Sequence, residues 1–241
     1  MIRQDLKPVF SLLEARKLLN YGIPLIPANL ASLVLTMSDR FFLKYFSNLT
    51  QVGLYNLGYQ FGMLMEVILI APFKLIWAPM MFSVEKESHA REYYSKILTY
   101  LVFIGVFIAL GISLSSKEIL QIIANPSFWP SSKVIPIVCL GYVFYGIQVA
   151  LTVGIALKRK TQYIGLIFVL ASGLNLMLNY LLIPSYGMMG AAYATLISYF
   201  SMCAMKYFIS GKFYKVHYEW ARLGKIAATA IIIYIVGANA E

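Results

Sequence analysis

The Lys and Arg residues of this chain are sorted along its length. Fifteen of the twenty fall at the N-terminus, around 86–96, at 158–160 and between 206 and 225, in every second gap between long apolar stretches. Lys44, Lys117 and Lys133 lie in the alternate gaps, and Arg40 and Lys74 lie inside apolar stretches. A fold dissolved in water has no use for such sorting. Helix hairpins threading a bilayer do, because Lys and Arg beside a span are retained on the cytoplasmic side. The pattern predicts an all-α polytopic membrane protein whose N-terminus is cytoplasmic.

Composition points the same way. The chain is 60% hydrophobic and 12% charged, against roughly 25% charge in ordinary globular chains. A net charge of +10 would suggest nucleic acid if the cations formed one patch or stripe. Scattered over short loops, they imply topology and attraction to anionic headgroups, so membrane lipids are expected partners and nucleic acid is not. Cys139 and Cys203 sit in apolar segments without CxxC or Cys/His spacing, which makes them packing residues rather than disulfide or metal ligands. His89 and His217 stand alone in basic loops and read as solvated. Asp5 and Glu14 interrupt the N-terminus, which rules out a cleavable signal peptide. Leu6, Phe10 and Leu13 near one face instead predict a short interfacial helix.

A helix needs roughly 20 apolar residues to span the hydrocarbon. Stretches at about 18–46, 52–82, 97–115, 134–157, 161–183, 188–209 and 223–238 qualify. They divide the chain into a cytoplasmic interfacial segment at 1–17, a six-helix transmembrane lobe at 18–209, a basic cytoplasmic loop at 210–222 and a partial seventh helix at 223–241. The loops at 83–96 and 158–161 are then also cytoplasmic. Those at 47–51, 116–133 and 184–187 face outward, and Asn125 to Pro130 reads as a turn with an aromatic at the interface.

Ionisable groups in hydrocarbon are costly and mark functional positions by default. Asn29, Ser32, Thr36 and Arg40 share one face of the first span, with Asp39 beside it, and Pro24 and Pro27 predict a bend. Asn56, Tyr59, Gln60 and Lys74 also fall on one face of the second span, together with Met63 and Val67, with Glu66 toward its edge, and Pro72 and Pro79 again imply a bent helix. Tyr145, Gln148 and Thr152 in the fourth span, and Ser172, Asn175 and Asn179 in the fifth, add further stripes. Two readings stand for these positions. They line a hydrated cavity, or they hydrogen-bond neighbouring helices as structural glue at about 0.6–2 kcal/mol each. By the second reading Asp39 and Arg40 form an ion pair and Lys74 snorkels to the headgroups. No GxxxxGK[ST], HExxH, GxSxG or paired-carboxylate cluster is present, so no cofactor is implied and the inventory fits a transporter better than an enzyme.

Two stretches of wording resemble a known family. Ser38-Asp39-Arg40-Phe41-Phe42-Leu43 followed by Val52-Gly53-Leu54-Tyr55-Asn56, preceded by Tyr21-Gly22-Ile23-Pro24-Leu25-Ile26-Pro27, is similar to the start of the second half of polysaccharide-biosynthesis flippases. Asn175-Leu176-Met177-Leu178-Asn179-Tyr180-Leu181-Leu182-Ile183-Pro184 and Tyr186-Gly187-Met188-Met189-Gly190-Ala191-Ala192 resemble the same family's later signature. These are lipid-linked oligosaccharide (O-antigen type) flippases of the multidrug/oligosaccharidyl-lipid/polysaccharide exporter superfamily, with two six-helix lobes around a central cavity.

The resemblance implies one lobe of such a transporter in the inner (cytoplasmic) membrane. Its cargo would be undecaprenyl-diphosphate-linked oligosaccharide, its cycle alternating access, and its partners an N-terminal lobe and polysaccharide assembly proteins. Arg40 and Lys74 would attract the diphosphate. Asp39, Asn29, Asn56, Gln60, Gln148, Asn175 and Asn179 complete the substrate-binding set, and Asp39 and Glu66 are the ion-coupling candidates. The chain reads as the second lobe without the first. The competing expectations are a drug or cation antiporter of the same superfamily, a non-transporting half-transporter and an integral-membrane glycan polymerase.

Overall fold

The computed structural model describes residues 25–240, together with Ser11, Leu12, Arg16 and Ile23. The interfacial helix expected at 6–19 therefore falls largely outside the described residues, as does Pro24. Among the described residues every regular element is a helix and none is a strand.

Helix α1 runs Leu25–Phe46, and Pro27 occupies its first turn, where a missing N–H costs nothing. Asn48 caps α2, Leu49–Met65, by accepting a 2.9 Å hydrogen bond from the Gln51 N–H. A π turn at Glu66–Ile70 joins α2 without a break to α3, Ala71–Ser83. In that turn the Ala71 N–H reaches the Glu66 carbonyl, five residues back. Pro72 follows at once. In a regular helix its ring would press on the carbonyl four residues earlier, and the wider turn relieves that contact.

Helix α4 spans Ala90–Leu114. The stretch expected as an outward loop at 116–133 is itself helical: α5 at Ser116–Ile123, then a 3-10 helix at Pro126–Lys133 capped by Asn125. Trp129 donates from Nε1 to the Ala124 carbonyl at 3.3 Å, so the aromatic is fixed there. Helices α6 (Ile135–Ala150) and α7 (Val153–Leu157) follow, then α8 (Gln162–Phe213) and α9 (Trp220–Ala240).

Helix α8 is two arms broken at Gly187, whose φ of 53° and ψ of −132° belong to no helix. Glycine alone takes such a conformation without side-chain strain. The freed Met188 N–H donates to Gln51 Oε1 at 3.1 Å. Asn179 and Thr195, eight residues before and after the break, both bond to Asp39 of α1. The arms therefore fold back on one another and clasp α1 between them.

Among the described residues five helical stretches are long and apolar enough to cross a membrane: Leu49–Ser83, Ala90–Leu114, Ile135–Leu157, Gln162–Phe213 and Trp220–Asn239. Helix α1, which carries Asn29, Asp39, Arg40 and Lys44, is not among them. The core gathers Leu43, Tyr55, Met65, Val138, Ile183 and Ala191 toward one end, and Trp77, Tyr94, Leu98 and Leu151 toward the other. Large apolar side chains such as Phe41, Leu75, Phe107 and Ile232 cover the outside. That exterior suits lipid. Helix contacts are close: a Cβ on Gly154 would lie 2.2 Å from the Ser210 carbonyl oxygen, and its N–H donates to Ser210 Oγ at 2.8 Å. Small residues allow this approach between helices in a bilayer.

Candidate functional site

Asp39 is fully buried. Its carboxylate accepts from Tyr55 Oη at 2.5 Å, Asn179 Nδ2 at 2.7 Å and Thr195 Oγ1 at 2.8 Å. Ser38 Oγ donates to Asn175 Oδ1 at 2.9 Å beside it, and Asn179 Nδ2 lies 3.1 Å from the same oxygen. Asn175 and Asn179, one helical turn apart, face α1 together because residues at i and i+4 share a face. Asn179 Oδ1 and Asn175 Nδ2 are buried there without a hydrogen-bond partner. The cluster is thus a desolvated carboxylate held by neutral donors, with polar capacity left over.

Arg40 points elsewhere. Its Nε donates to Asn56 Oδ1 and its Nη1 to the Thr36 carbonyl, each at 2.5 Å. The guanidinium sits 4.8 Å from the Tyr59 ring centroid, a cation–π geometry. Asp39 and Arg40 are not an ion pair, which corrects one of the two sequence readings. Adjacent helical residues point about 100° apart, and here each finds its own partners.

The second-span stripe also needs correction. Asn56 and Lys74 are five turns apart on a regular helix, which would align them. The π turn adds about one residue to the winding and carries Lys74 off the Asn56 face onto that of Glu66. Lys74 Nζ bonds Glu66 Oε1 at 2.8 Å and Tyr145 Oη at 3.2 Å. Its ammonium also lies 4.6 Å from the Tyr145 ring centroid. Lys74 therefore pairs within the protein, about a third exposed, instead of reaching for the headgroups. Gln60 is exposed on α2, and Asn29 lies on an exposed part of α1.

Two groups missed by the sequence reading complete the site. Lys206, counted there among the cytoplasmic cations, is 3% exposed within α8. It donates to Gln148 Oε1 and, at 3.1 Å, to Thr152 Oγ1. Four apolar or aromatic neighbours, Met205, Tyr207, Phe208 and Ile209, were the available signal. Thr195 carried none, being one hydroxyl in an Ala-rich run.

A row of tyrosines links the clusters. Ring centroids of Tyr55 and Tyr59 are 5.7 Å apart, Tyr59 and Tyr142 5.8 Å, and Tyr142 and Tyr145 6.1 Å. It begins at Asp39 and ends at Lys74. By contrast, the Thr36, Thr152 and Ser172 hydroxyls donate to backbone carbonyls three or four residues before them, a local bond that neither lines a cavity nor joins neighbouring helices.

This combination of an apolar exterior, membrane-length helices and ionisable groups clasped inside defines a multi-pass all-α membrane protein. Residues 5–85 match the family described as polysaccharide biosynthesis protein, so this part of the chain is similar to that family. The chain is also 27% identical over 209 residues to an uncharacterized membrane protein of Methanocaldococcus jannaschii, covering 81% of this chain and 39% of that relative. The chain thus spans about two-fifths of the relative's length. No solved structure matches it.

Proposed function

We propose that the chain forms one lobe of a flippase that carries undecaprenyl-diphosphate-linked oligosaccharide from the inner to the outer leaflet of the cytoplasmic membrane by alternating access. Its N-terminus faces the cytoplasm and its cavity is completed by an N-terminal lobe. The observation that carries this reading is Arg40. A guanidinium has five N–H donors; two are used, on an amide and a backbone carbonyl, and none on a carboxylate among the described residues. The remaining donors and full charge suit a diphosphate, which a guanidinium fork binds well. Lys74, partly exposed beside Glu66 and Tyr145, supplies a second cation, and Asn56 and Gln60 offer amides for sugar.

Asp39 is the coupling carboxylate of this proposal. Its cluster gathers oxygens from Asp39, Asn179 and two hydroxyls, a set suited to a proton or a small monovalent cation. Glu66 is the weaker candidate because Lys74 neutralises it. The same buried acid supports a second reading, a drug or cation antiporter.

Proteoliposomes holding this chain with its partner lobe and a labelled lipid-linked glycan separate the two. Leaflet transfer that falls at least about tenfold with Arg40→Ala, as loss of one charge-assisted contact predicts, supports the flippase. Transfer unchanged by both Arg40→Ala and Lys74→Ala removes their diphosphate role. Dye efflux without glycan transfer selects the antiporter.

A further inference from the structure

Where α8 ends and α9 begins, the chain builds a cleft of about 500 Å3 that the transport chemistry does not use. One wall is aromatic. The Tyr207 ring centroid lies 5.2 Å from Trp220 and 6.1 Å from Tyr218, and those two lie 6.2 Å apart. The titratable side chains around it include Lys212, Lys215 and His217, and among the described residues no Asp or Glu lines it. Glu219, the nearest acid in sequence, turns away: its carboxylate accepts from Thr99 Oγ1 at 2.8 Å and from Arg222 at 2.5 Å. The positive charge of the cleft is therefore uncompensated by its own walls.

Its position selects the occupant. Both α8 and α9 are of membrane-crossing length and hydropathy, so the connection at 214–219 lies at the membrane surface, the depth of lipid phosphates. Phe208 and Trp220 are 67% and 57% exposed at its edge. A dissolved anion would need the lysines and have no use for these rings. A phospholipid uses both, with its phosphate among the cations and its glycerol and upper acyl carbons on the aromatics. Trp and Tyr favour this depth, and each basic residue near the surface attracts anionic lipid by an amount equal to about a fivefold change in affinity.

We propose that this cleft is a binding site for one anionic phospholipid, held through its headgroup by Lys212 and Lys215 and through its upper chain by Phe208 and Trp220. Lys158, Arg159 and Lys160 carry comparable charge in another loop and serve as the control for net charge.

The test is native mass spectrometry of the full chain in detergent, titrated with phosphatidylglycerol and with phosphatidylcholine. One phosphatidylglycerol should bind in preference to phosphatidylcholine. The exposed pair Lys212→Ala/Lys215→Ala should weaken it by about tenfold or more, with the helical circular dichroism signal unchanged. Trp220→Ala should weaken both lipids. Lys158→Ala/Lys160→Ala should leave binding as it is. Equal loss from both lysine pairs, or no loss from the first, overturns the site. Displacement of the lipid by millimolar pyrophosphate at matched ionic strength overturns the lipid assignment in favour of a free-phosphate site.

Discussion

Asp39 keeps its place because three neighbours donate to it, and those donors are equally dependent on Asp39. Replacing it with Ala strands the Tyr55 hydroxyl, the Thr195 hydroxyl and an Asn179 N–H in a fully buried site. The expected cost is on the order of 3 kcal/mol, from unsatisfied buried groups. Asp39→Asn keeps one acceptor oxygen and should cost less, and thermal unfolding in detergent micelles would rank the two. Lys206 is the donor in its own cluster. Lys206→Met fills similar volume and removes a buried charge but leaves the buried Gln148 Oε1 without its donor, so it should cost about 1 kcal/mol; Lys206→Ala also opens a cavity and should lose about 2 kcal/mol or more. A Met variant clearly less stable than the Ala variant would contradict this. Asp39 was legible in the sequence because a charge in an apolar stretch announces itself. Lys206 was not, since it borders the basic run at 212–225, and spacing alone does not separate a helix's last buried turns from the loop beyond.

Among the elements, α8 depends on one glycine and one distant glutamine. Gly187→Ala forces a side chain into a backbone region with strain of about 1–3 kcal/mol, and its Cβ would sit 3.1 Å from Gln51 Oε1. Gln51→Ala leaves the Met188 N–H without its acceptor and should cost about 1 kcal/mol. Both should lower the unfolding temperature, and Gly187→Ala should also pull Asn179 and Thr195 apart around Asp39. An unfolding temperature untouched by either change would mean the break is not held as described. Apolar length and Pro184-Ser185-Tyr186-Gly187 made the two arms readable from sequence, whereas the Gln51 cap, 137 residues away, was not. The stripe on α2 and α3 was misphased for a simpler reason: a helical wheel assumes 3.6 residues per turn throughout, and the π turn breaks that assumption between Asn56 and Lys74.

The described residues form a bundle whose exterior is apolar and whose charges are placed either inside it or at its ends. Helix α9 runs parallel to α4, since Glu219 meets Thr99 and Gly237 meets Leu114. The segments preceding these two helices therefore share a side, as the charge sorting requires. Lys160→Cys and Lys215→Cys should react with a membrane-impermeant maleimide only after cells are opened, while Lys117→Cys should react in intact cells; the reverse pattern would invert the proposed orientation. Cys139 and Cys203 are buried and contribute little background. The wide turn at Glu66–Ile70 also sets where this 35-residue span tolerates a change of length. Deleting exposed Val67 and replacing Pro72 with Ala would restore a regular helix while leaving Lys74 over Glu66. A deletion between Asn56 and Met65 would keep the wide turn and swing everything beyond it by about 100° relative to Asn56. Length variation among natural relatives is expected to collect at that turn.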